Sequence, residues 1–560
     1  MTVRLGVYQN SDDALLVWSV DEKIDNCIGF AVRRELTSGG RTKSSWLDNY
    51  VGFSGEKAVV GEHRPSTEWP FQGFTWTDHG INEGDTARYR VTPVVRNGDG
   101  SLKRLDSRHS AWASGREPST TYRAFFNRGY VMSQFIARYL EETKQSLSQF
   151  KDTISEEDEQ TIRVFLSGEI RTQLLALLAA ARESGGEVHA ALFELGDDEL
   201  IDALVPLGGG AHVVLANGSI TAREHESTAT ARKRDGNARA RARLLAAGVD
   251  VEEENRFVSP GPLAHNKFAV FTDKKGKAKK VWTGSTNWTS TGLCTQLNNA
   301  LLIEDEAVAK TYLEQWQRLR EAGSEFPKAL VDANSVPTPD NAATTTWFTR
   351  TRSKVDLATL KEAVLGAEQG LVFLMFQPGG TGVLGDVEEL RKRKPELFVR
   401  GVVSELPEGQ NDESVARVTF VGHQEKPESH ELDVIEPDGR PNAIAWWAAE
   451  ATHKDVRANI GYAIVHSKIL VIDPLSEQPT LVTGSHNFST NASTKNDENF
   501  LVIKGDRALA EAYLVNVFGA WRHYRARVAS GNPFPGLRTS DSWMAGSLRE
   551  RQRQASFWGF

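Results

Sequence analysis

The sequence predicts an α/β protein made of two copies of one unit, preceded by an all-β sandwich. Three observations carry this. Residues 1–115 run as short alternating apolar segments divided by polar or Gly-containing turns. From about residue 120, helical segments alternate with strand-like apolar ones, and from about 345 that same order starts again.

In the first region ALLVWSV, IGFAVRREL, FQGFTWTD and ARYRVTPVV read as strands. Trp18 on an early strand, and Tyr89 where a tyrosine corner would fall, give the region a resemblance to fibronectin type III and immunoglobulin-like domains, without their Cys pair. Next come IRTQLLALLAAARES, VHAALFEL, DDELIDALVPL, AHVVLA and NARARARLLAAG, an alternation that implies a buried sheet layered with helices. HNKFAVFT, KKVWTGS and NNALLIED add three strands, and AVAKTYLEQWQRLREAG closes the unit as an amphipathic helix. After the polar stretch at 336–346 the order recurs: LATLKEAVLGAEQ, GLVFLMFQP, VEELRKRK, LFVRGVVS, then HSKILVID, TLVTGS, NFLVIKG and a closing helix. The second copy carries an insertion at about 406–460 that includes Trp446 and Trp447. The expected domains are therefore a sandwich at 1–115, α/β units at 120–335 and 345–530, and an irregular tail at 531–560 that wraps onto the rest through its aromatics.

Composition narrows the function. With 39% hydrophobic and 25% charged residues and no uninterrupted apolar run of bilayer length, a soluble protein without a transmembrane segment is expected. The N-terminus lacks the layout of a secretory signal, and Cys27 and Cys294 stand far apart, so a cytoplasmic protein with no disulfide scaffold is expected. A net charge of −8 excludes a uniformly basic nucleic-acid binder but not a local basic groove.

Two short motifs carry the chemistry. A lone His-x-Lys means little, since 13 His and 66 Lys and Arg place about 1.5 His-x-basic pairs by chance. Their surroundings are the signal. His265-Asn-Lys267 is followed by Gly284-Ser285-Thr-Asn287 and then Asn298-Asn299; His466-Ser-Lys468 is followed by Gly484-Ser485-His-Asn487 and then Glu498-Asn499, and from Gly to the last Asn the copies align without a gap. Cations and oriented amide or hydroxyl donors are what a phosphodiester needs, because its anionic oxygens repel a nucleophile until their charge is neutralised. Lys267 and Lys468 supply charge, and Asn287, Asn487, Ser285 and Ser485 supply donors to phosphate. Histidine serves both as nucleophile and as general acid and base near neutrality.

This pattern resembles the H-x-K-x4-D and G-S-x-N signature of the phospholipase D and nuclease superfamily, over roughly residues 120–530. The resemblance implies duplicated α/β/α units whose motifs face each other across a pseudo-twofold axis in one active site, and a reaction through a covalent phosphohistidine. It also implies that Asp473 gives structural support in the second motif. The first motif departs from the pattern, with Thr272 at that place and Asp273 one position later, as tyrosyl-DNA phosphodiesterases also lack that acid. At the strand position that orients the histidine the second copy has Glu498 and the first Asn298. Taken copy by copy, the carboxylate favours an imidazolium at His466, which becomes general acid and then base, while His265 beside a neutral amide becomes the nucleophile. No cofactor and no metal are expected, since lysines and histidines take the place of a divalent ion.

The motifs leave the substrate open. Arg232, Lys233, Arg234, Arg239, Arg241 and Arg243 ahead of the first motif, and KKGKAKK after its first strand, favour nucleic acid. The insertion's aromatics suit phospholipid hydrolysis or phosphatidyl transfer instead. A third reading makes the chain a non-catalytic binding protein. The sandwich holds no cluster of acid, base and nucleophile and is expected to contact a partner.

Overall fold

The computed structural model describes residues 3–56, 62–129, 161–219, 233–252, 262–337, 339–376, 382–403, 465–528 and 536–560, with isolated residues between them. Trp446, Trp447 and Arg232 lie outside the described residues.

Two large mixed sheets repeat one topology. In the first, the order is Tyr122–Phe126, Asn299–Ile303, Ala278–Gly284, Lys267–Thr272, Val188–Leu192, Ala211–Leu215, Asp250–Val251. In the second it is Thr344–Phe348, Asn499–Lys504, Thr480–Gly484, Ile469–Ile472, Gly370–Met375, Phe398–Val403, Val434–Ile435, with Phe420–Val421 added at the edge. In both, the strand after the His-x-Lys motif is central, antiparallel to its neighbours, and the sheet then continues with parallel pairs.

The continuous apolar run of KFAVFT fits a strand covered on both faces. Its side chains alternate as the strand period requires. Phe268 and Val270 face a core shared by the two halves, and Ala269 and Phe271 face the outer core of the first half. The shared core is filled by the helices Glu306–Ala322 and Arg507–Val528, which place Tyr312, Trp316, Tyr513 and Phe518 between the sheets. The first of these helices starts where Asp305 accepts hydrogen bonds from the N–H groups of Ala307 and Val308, both at 2.9 Å. On the outer face of the first sheet lies the helix Thr161–Ser184. Its stretch Ile162–Ser184 is long and apolar enough, by length and composition, to cross a membrane, which the interrupted apolar run in the sequence did not suggest. Here Ile162, Leu166, Ile170, Leu174 and Leu178 line the outer core.

The N-terminal region is all-β. One sheet holds Arg4–Gln9, Ala14–Ser19 and Thr75–Asp78; the other holds Cys27–Ser38, Arg41–Trp46, Thr86–Arg96 and Ala113–Ser114, with Leu102–Arg104 beside the long strand. Trp18, Phe30 and Tyr89 are buried in its core. The Tyr89 hydroxyl donates to Asp78 Oδ2 at 2.9 Å, a carboxylate also held by Arg34, where a tyrosine corner would bond backbone.

The tail departs from the irregular expectation. It contains the helices Met544–Arg553 and Ala555–Trp558, and it joins the other parts. Trp543 enters the sandwich core against Phe30 and Phe74 and donates from Nε1 to the carbonyl of Cys27 at 3.0 Å. Phe557 stacks on Phe398 of the second sheet at 3.8 Å between centroids, and the Tyr8 hydroxyl donates to the carbonyl of Trp558. Replacing Trp543 with Ala leaves a cavity in the sandwich. The expected loss is about 3–5 kcal/mol, read as a lower urea midpoint. An unchanged midpoint would show that the tail does not hold the sandwich.

Candidate active site

Each histidine enters the site through a backbone exchange between the halves. The N–H of His265 donates to the carbonyl of Asp497 at 2.8 Å, and that of Asp497 to Leu263 at 2.8 Å. In the mirrored position the N–H groups of His466 and Ser467 donate to the carbonyl of Leu297, at 3.0 and 2.8 Å. The segment ahead of each His-x-Lys motif therefore runs beside the residue that precedes the other copy's orienting position.

This exchange corrects the pairing taken copy by copy. His265 Nδ1 meets Glu498 Oε2 at 2.9 Å, and His466 Nδ1 meets Asn298 Oδ1 at 2.8 Å. The partners cross, because the orienting strand of one copy ends against the motif of the other. The ground on which the sequence assigned the two roles is thereby removed.

The protonation pattern follows from the neighbours. Burial pushes the Glu498 carboxyl up, but its contact with His265, then His486 and Lys267, holds it below its usual value. An ionised carboxylate only accepts, so the proton of His265 sits on Nδ1 and its Nε2 lone pair is free. Asn298 Nδ2 donates to the carbonyl of Gly292 at 2.8 Å, which fixes its Oδ1 as the acceptor toward His466. The Nδ1 of His466 thus also carries a proton.

The lysines stand two residues on, at the entry to the strands Lys267–Thr272 and Ile469–Ile472. Lys267 and Lys468 are buried, and each Nζ donates to the carbonyl of its own motif's histidine, at 2.7 and 2.5 Å. Each also lies over an aromatic ring, Lys267 on Phe193 at 4.8 Å and Lys468 on Phe376 at 4.9 Å. The same rings pack against His265 and His466. Phe193 and Phe376 directly follow the strands Val188–Leu192 and Gly370–Met375, so they are equivalent in the two copies. They were missed in the sequence, although an aromatic ends the matching strand in each copy.

The Gly-Ser-x-Asn segments hold the orienting strands. A Cβ on Gly284 or Gly484 would lie 2.4 or 2.3 Å from the carbonyl oxygen of Asn299 or Asn499, which excludes any larger residue. Ser285 and Ser485 are buried and spent on this contact: each Oγ accepts from the N–H of Asn299 or Asn499 at 3.0 Å, and Ser285 Oγ donates to Asn298 Oδ1 at 2.8 Å. The expectation that these hydroxyls bind phosphate gives way to a role as struts. Asn287 donates from Nδ2 to Glu194 Oε2 at 2.7 Å, and the Oδ1 atoms of Asn287 and Asn487 are buried without a hydrogen-bond partner. Glu194, also missed in the sequence, puts a second carboxylate beside Lys267.

Asp473 lies away from the chemistry. Its carboxylate accepts from the N–H groups of Glu368, Gln369 and Gly370, at 3.1, 2.7 and 2.9 Å to Oδ1, and so ties down the turn that enters Gly370–Met375. Thr272 stands at the same place in the first copy, where its Oγ1 accepts from the N–H of Glu187 at 3.2 Å. One hydrogen bond replaces three, and the histidines are untouched.

The resulting electrostatics are unbalanced. Burial pulls Lys267 down to about 7, with Glu498 and Glu194 opposing, and holds Lys468 well below its usual value, with Lys267 adding to the effect. Burial and the charge of Lys267 also lower His265 to about 4, and burial with Lys468 and Lys267 lowers His466 well below its usual value. Beyond Glu498 and Glu194, an anion placed among both lysines and both histidines would be favoured. Among the described residues the group with metal-donor spacing is Glu187, His189 and His212, outside this cluster.

Two consequences can be measured. Between about 7 and its ordinary 10.5 the unfolded chain holds a proton at Lys267 that the folded chain lacks, so this group makes stability rise with pH across that window. For His265 the window is 6.5 down to about 4, and stability present above 6.5 is lost as pH falls through it. Lys267→Met is expected to raise stability at pH 7 by about 1–4 kcal/mol and flatten the alkaline slope of the melting temperature, while lowering kcat/KM by about 10²–10³. Asp473→Ala is expected to lower stability by about 1–3 kcal/mol without altering the pH profile of catalysis.

The family model described as "Cardiolipin synthase, PLD-like domain" matches residues 163–320 and 434–518. A phospholipase D of Rickettsia prowazekii (strain Madrid E) is 41% identical over 64 residues, which are 11% of this chain and 29% of that protein. The chain thus spans under a third of the length of this curated relative, and it is 43% identical over 53 residues to a phospholipase D of Rickettsia felis, covering 24% of it. Among solved structures, phosphatidylserine synthase of Haemophilus influenzae Rd KW20 is 12% identical with a TM-score of 0.41, over 64% of this chain and 84% of that one. Nuc of Salmonella typhimurium, a phospholipase D family member, is 18% identical with a TM-score of 0.20, over 32% of this chain and 95% of that one.

Proposed function

Since the chain belongs to the phospholipase D superfamily, we propose that it cleaves a phosphodiester through a covalent phosphohistidine on His265, with His466 as general acid and then base. The observation that carries this reading is the crossed pairing of His265 with Glu498 and His466 with Asn298. His265 is neutral at rest despite its carboxylate, so Glu498 does not make it an acid. The carboxylate acts when charge arrives: as Nε2 attacks phosphorus the ring becomes cationic, and Glu498 stabilises it through Nδ1–H. Asn298 orients His466 without stabilising its cation, which leaves that imidazolium the stronger acid. The docked phosphate anion supports protonation of His466.

In the first step the His265 Nε2–P bond forms, the P–O bond to the leaving group breaks, and His466 gives its proton to that oxygen. In the second, His466 takes a proton from water, which attacks phosphorus and releases His265. Lys267 and Lys468 balance the phosphoryl oxygens in both steps. The scheme draws on no metal ion, and turnover is expected to survive chelation.

For the substrate, the fixed charges bear on the choice. Arg239 and Arg243 are paired with Asp198, Arg241 is buried against Asp235, and Arg234 pairs with Glu226. Lys277 and Lys279 share Glu306, and Lys280 pairs with Glu304. Both basic stretches that favoured nucleic acid in the sequence are thus largely answered within the chain. With the lipid-acting names of the matched model and relatives, this puts phospholipid first as the substrate class.

One panel tests reaction and substrate together: single-stranded DNA, duplex DNA, RNA, phosphatidylcholine, phosphatidylglycerol and a bis-aryl phosphodiester. The wild type is expected to cleave the aryl diester and a phospholipid; cleavage of nucleic acid alone would reverse the substrate order. His466→Ala should lose about 10²–10⁴ in rate on unactivated substrates and less on the aryl diester, whose leaving group needs no proton. In that variant, phosphorus label retained through an alkaline quench should map to the peptide containing His265. Label on another residue would overturn the scheme.

A further inference from the structure

We propose that Glu187, His189 and His212 form a second site, for one divalent transition-metal ion of the zinc class, which clips the first sheet at its end remote from the paired histidines. His189 and His212 are direct partners on the adjacent parallel strands Val188–Leu192 and Ala211–Leu215, so both side chains leave the same face. Along its strand His189 is three residues from Leu192, which pairs with Lys267, or about 10 Å at 3.3 Å per residue.

The donor atoms converge. Glu187 Oε2 lies 3.3 Å from His189 Nε2 and 3.8 Å from His212 Nε2, and the three donors lie within 4.8 Å of one another. Bonds of about 2.0–2.1 Å in a tetrahedral site bring neighbouring donors to roughly 3.3 Å, so the Glu187–His189 separation already fits and the widest of the three closes by at most about 1.5 Å. Two imidazoles and a carboxylate with one position left to water are a donor set that zinc accepts. Glu187 is 45% exposed at its side chain and opens that position to solvent.

The second shell is already in place. His212 Nδ1 lies 2.8 Å from Asp250 Oδ2, and Asp250 is pinned by Arg320 at 2.6 Å. Asp250, paired with Arg320, accepts from Nδ1 of His212 and leaves the Nε2 lone pair for an ion, the carboxylate–histidine–metal arrangement. That Nε2 is buried with no hydrogen-bond partner, as is Nδ1 of His189. The rings now stack in parallel, 4.6 Å apart with an 8° tilt, and Trp316 covers both edge-on. Closing on one ion requires one ring to leave that plane. His189 is the ring free to turn, since no partner fixes its Nδ1, whereas His212 is held by Asp250.

The test uses the full chain stripped by chelator and titrated with Zn²⁺. The expected result is one ion bound per chain and a melting temperature that rises with the ion. Glu187→Gln, at a half-exposed position that tolerates substitution, and His189→Ala should each remove both effects, and Asp250→Asn should weaken binding about 10- to 100-fold. With Co²⁺, visible d–d bands of a tetrahedral site should appear in the wild type and be absent in His212→Ala. His265→Ala should bind the ion as the wild type does. No binding by the wild type, undiminished binding by Glu187→Gln and His189→Ala, or loss of binding in His265→Ala would each overturn the proposal.

Discussion

The exchange of backbone hydrogen bonds across the pseudo-twofold is the constraint on which the rest of the structure depends. His265 is bonded to Asp497 and His466 to Leu297, so each imidazole is carried by one half and oriented by the other. Neither half has a complete histidine pair by itself. The polar layer behind the site is shared in the same way. Asn499 Oδ1 accepts from Thr283 and Tyr312, and the Asn299 amide lies 2.9 and 3.1 Å from the hydroxyls of Thr483 and Tyr513. Buried polar groups are costly when unpaired, so the halves dock in the one register that pairs these.

That docking also sets the electrostatics. Two lysines and two histidines are brought into a buried volume whose nearest counter-charges are Glu498 and Glu194. Desolvation without a matching anion disfavours every cation there, which is why the lysines and both imidazoles are shifted down together. In the proposed reaction, a bound phosphodiester removes the imbalance and is held by the groups that later stabilise the transition state. Affinity and rate acceleration thus share a physical origin, and the folded chain without substrate carries the cost.

How much of this was legible in the sequence differs by element. The duplication, the motif strands and the closing helices follow from periodicity and from the gapless alignment of the two Gly-Ser-x-Asn segments, because those are local and repeat. The strut role of Ser285 and Ser485 was not legible, since a hydroxyl that could face a phosphate and one that faces a backbone N–H look alike in sequence. The crossed pairing was not legible either. His265 and Glu498 are 233 residues apart, and the nearer candidate in sequence, Asn298, belongs by geometry to His466. Only the docking of the halves chooses between them. Phe193 and Phe376 could have been found by aligning the strand ends of the copies, and the neutralisation of Arg239 and Arg243 could not, because Asp198 reaches them through the fold.

The departures from symmetry form a graded set. Where a residue only supports backbone, the copies differ at little consequence: Thr272 and Asp473 both fasten the turn before the strand beside their motif, with one hydrogen bond in place of three. Where a residue touches an imidazole, the difference is between a charge and a dipole, Glu498 against Asn298. A symmetric pair would give both rings the same basicity, and two equal imidazoles would compete for one proton and for one phosphorus. Unequal partners separate the two tasks. In the proposed reaction, the duplication supplies matched cations for the symmetric demand of the phosphate oxygens, and the Asn298 and Glu498 pair supplies the inequality that the order of bond making and proton transfer requires.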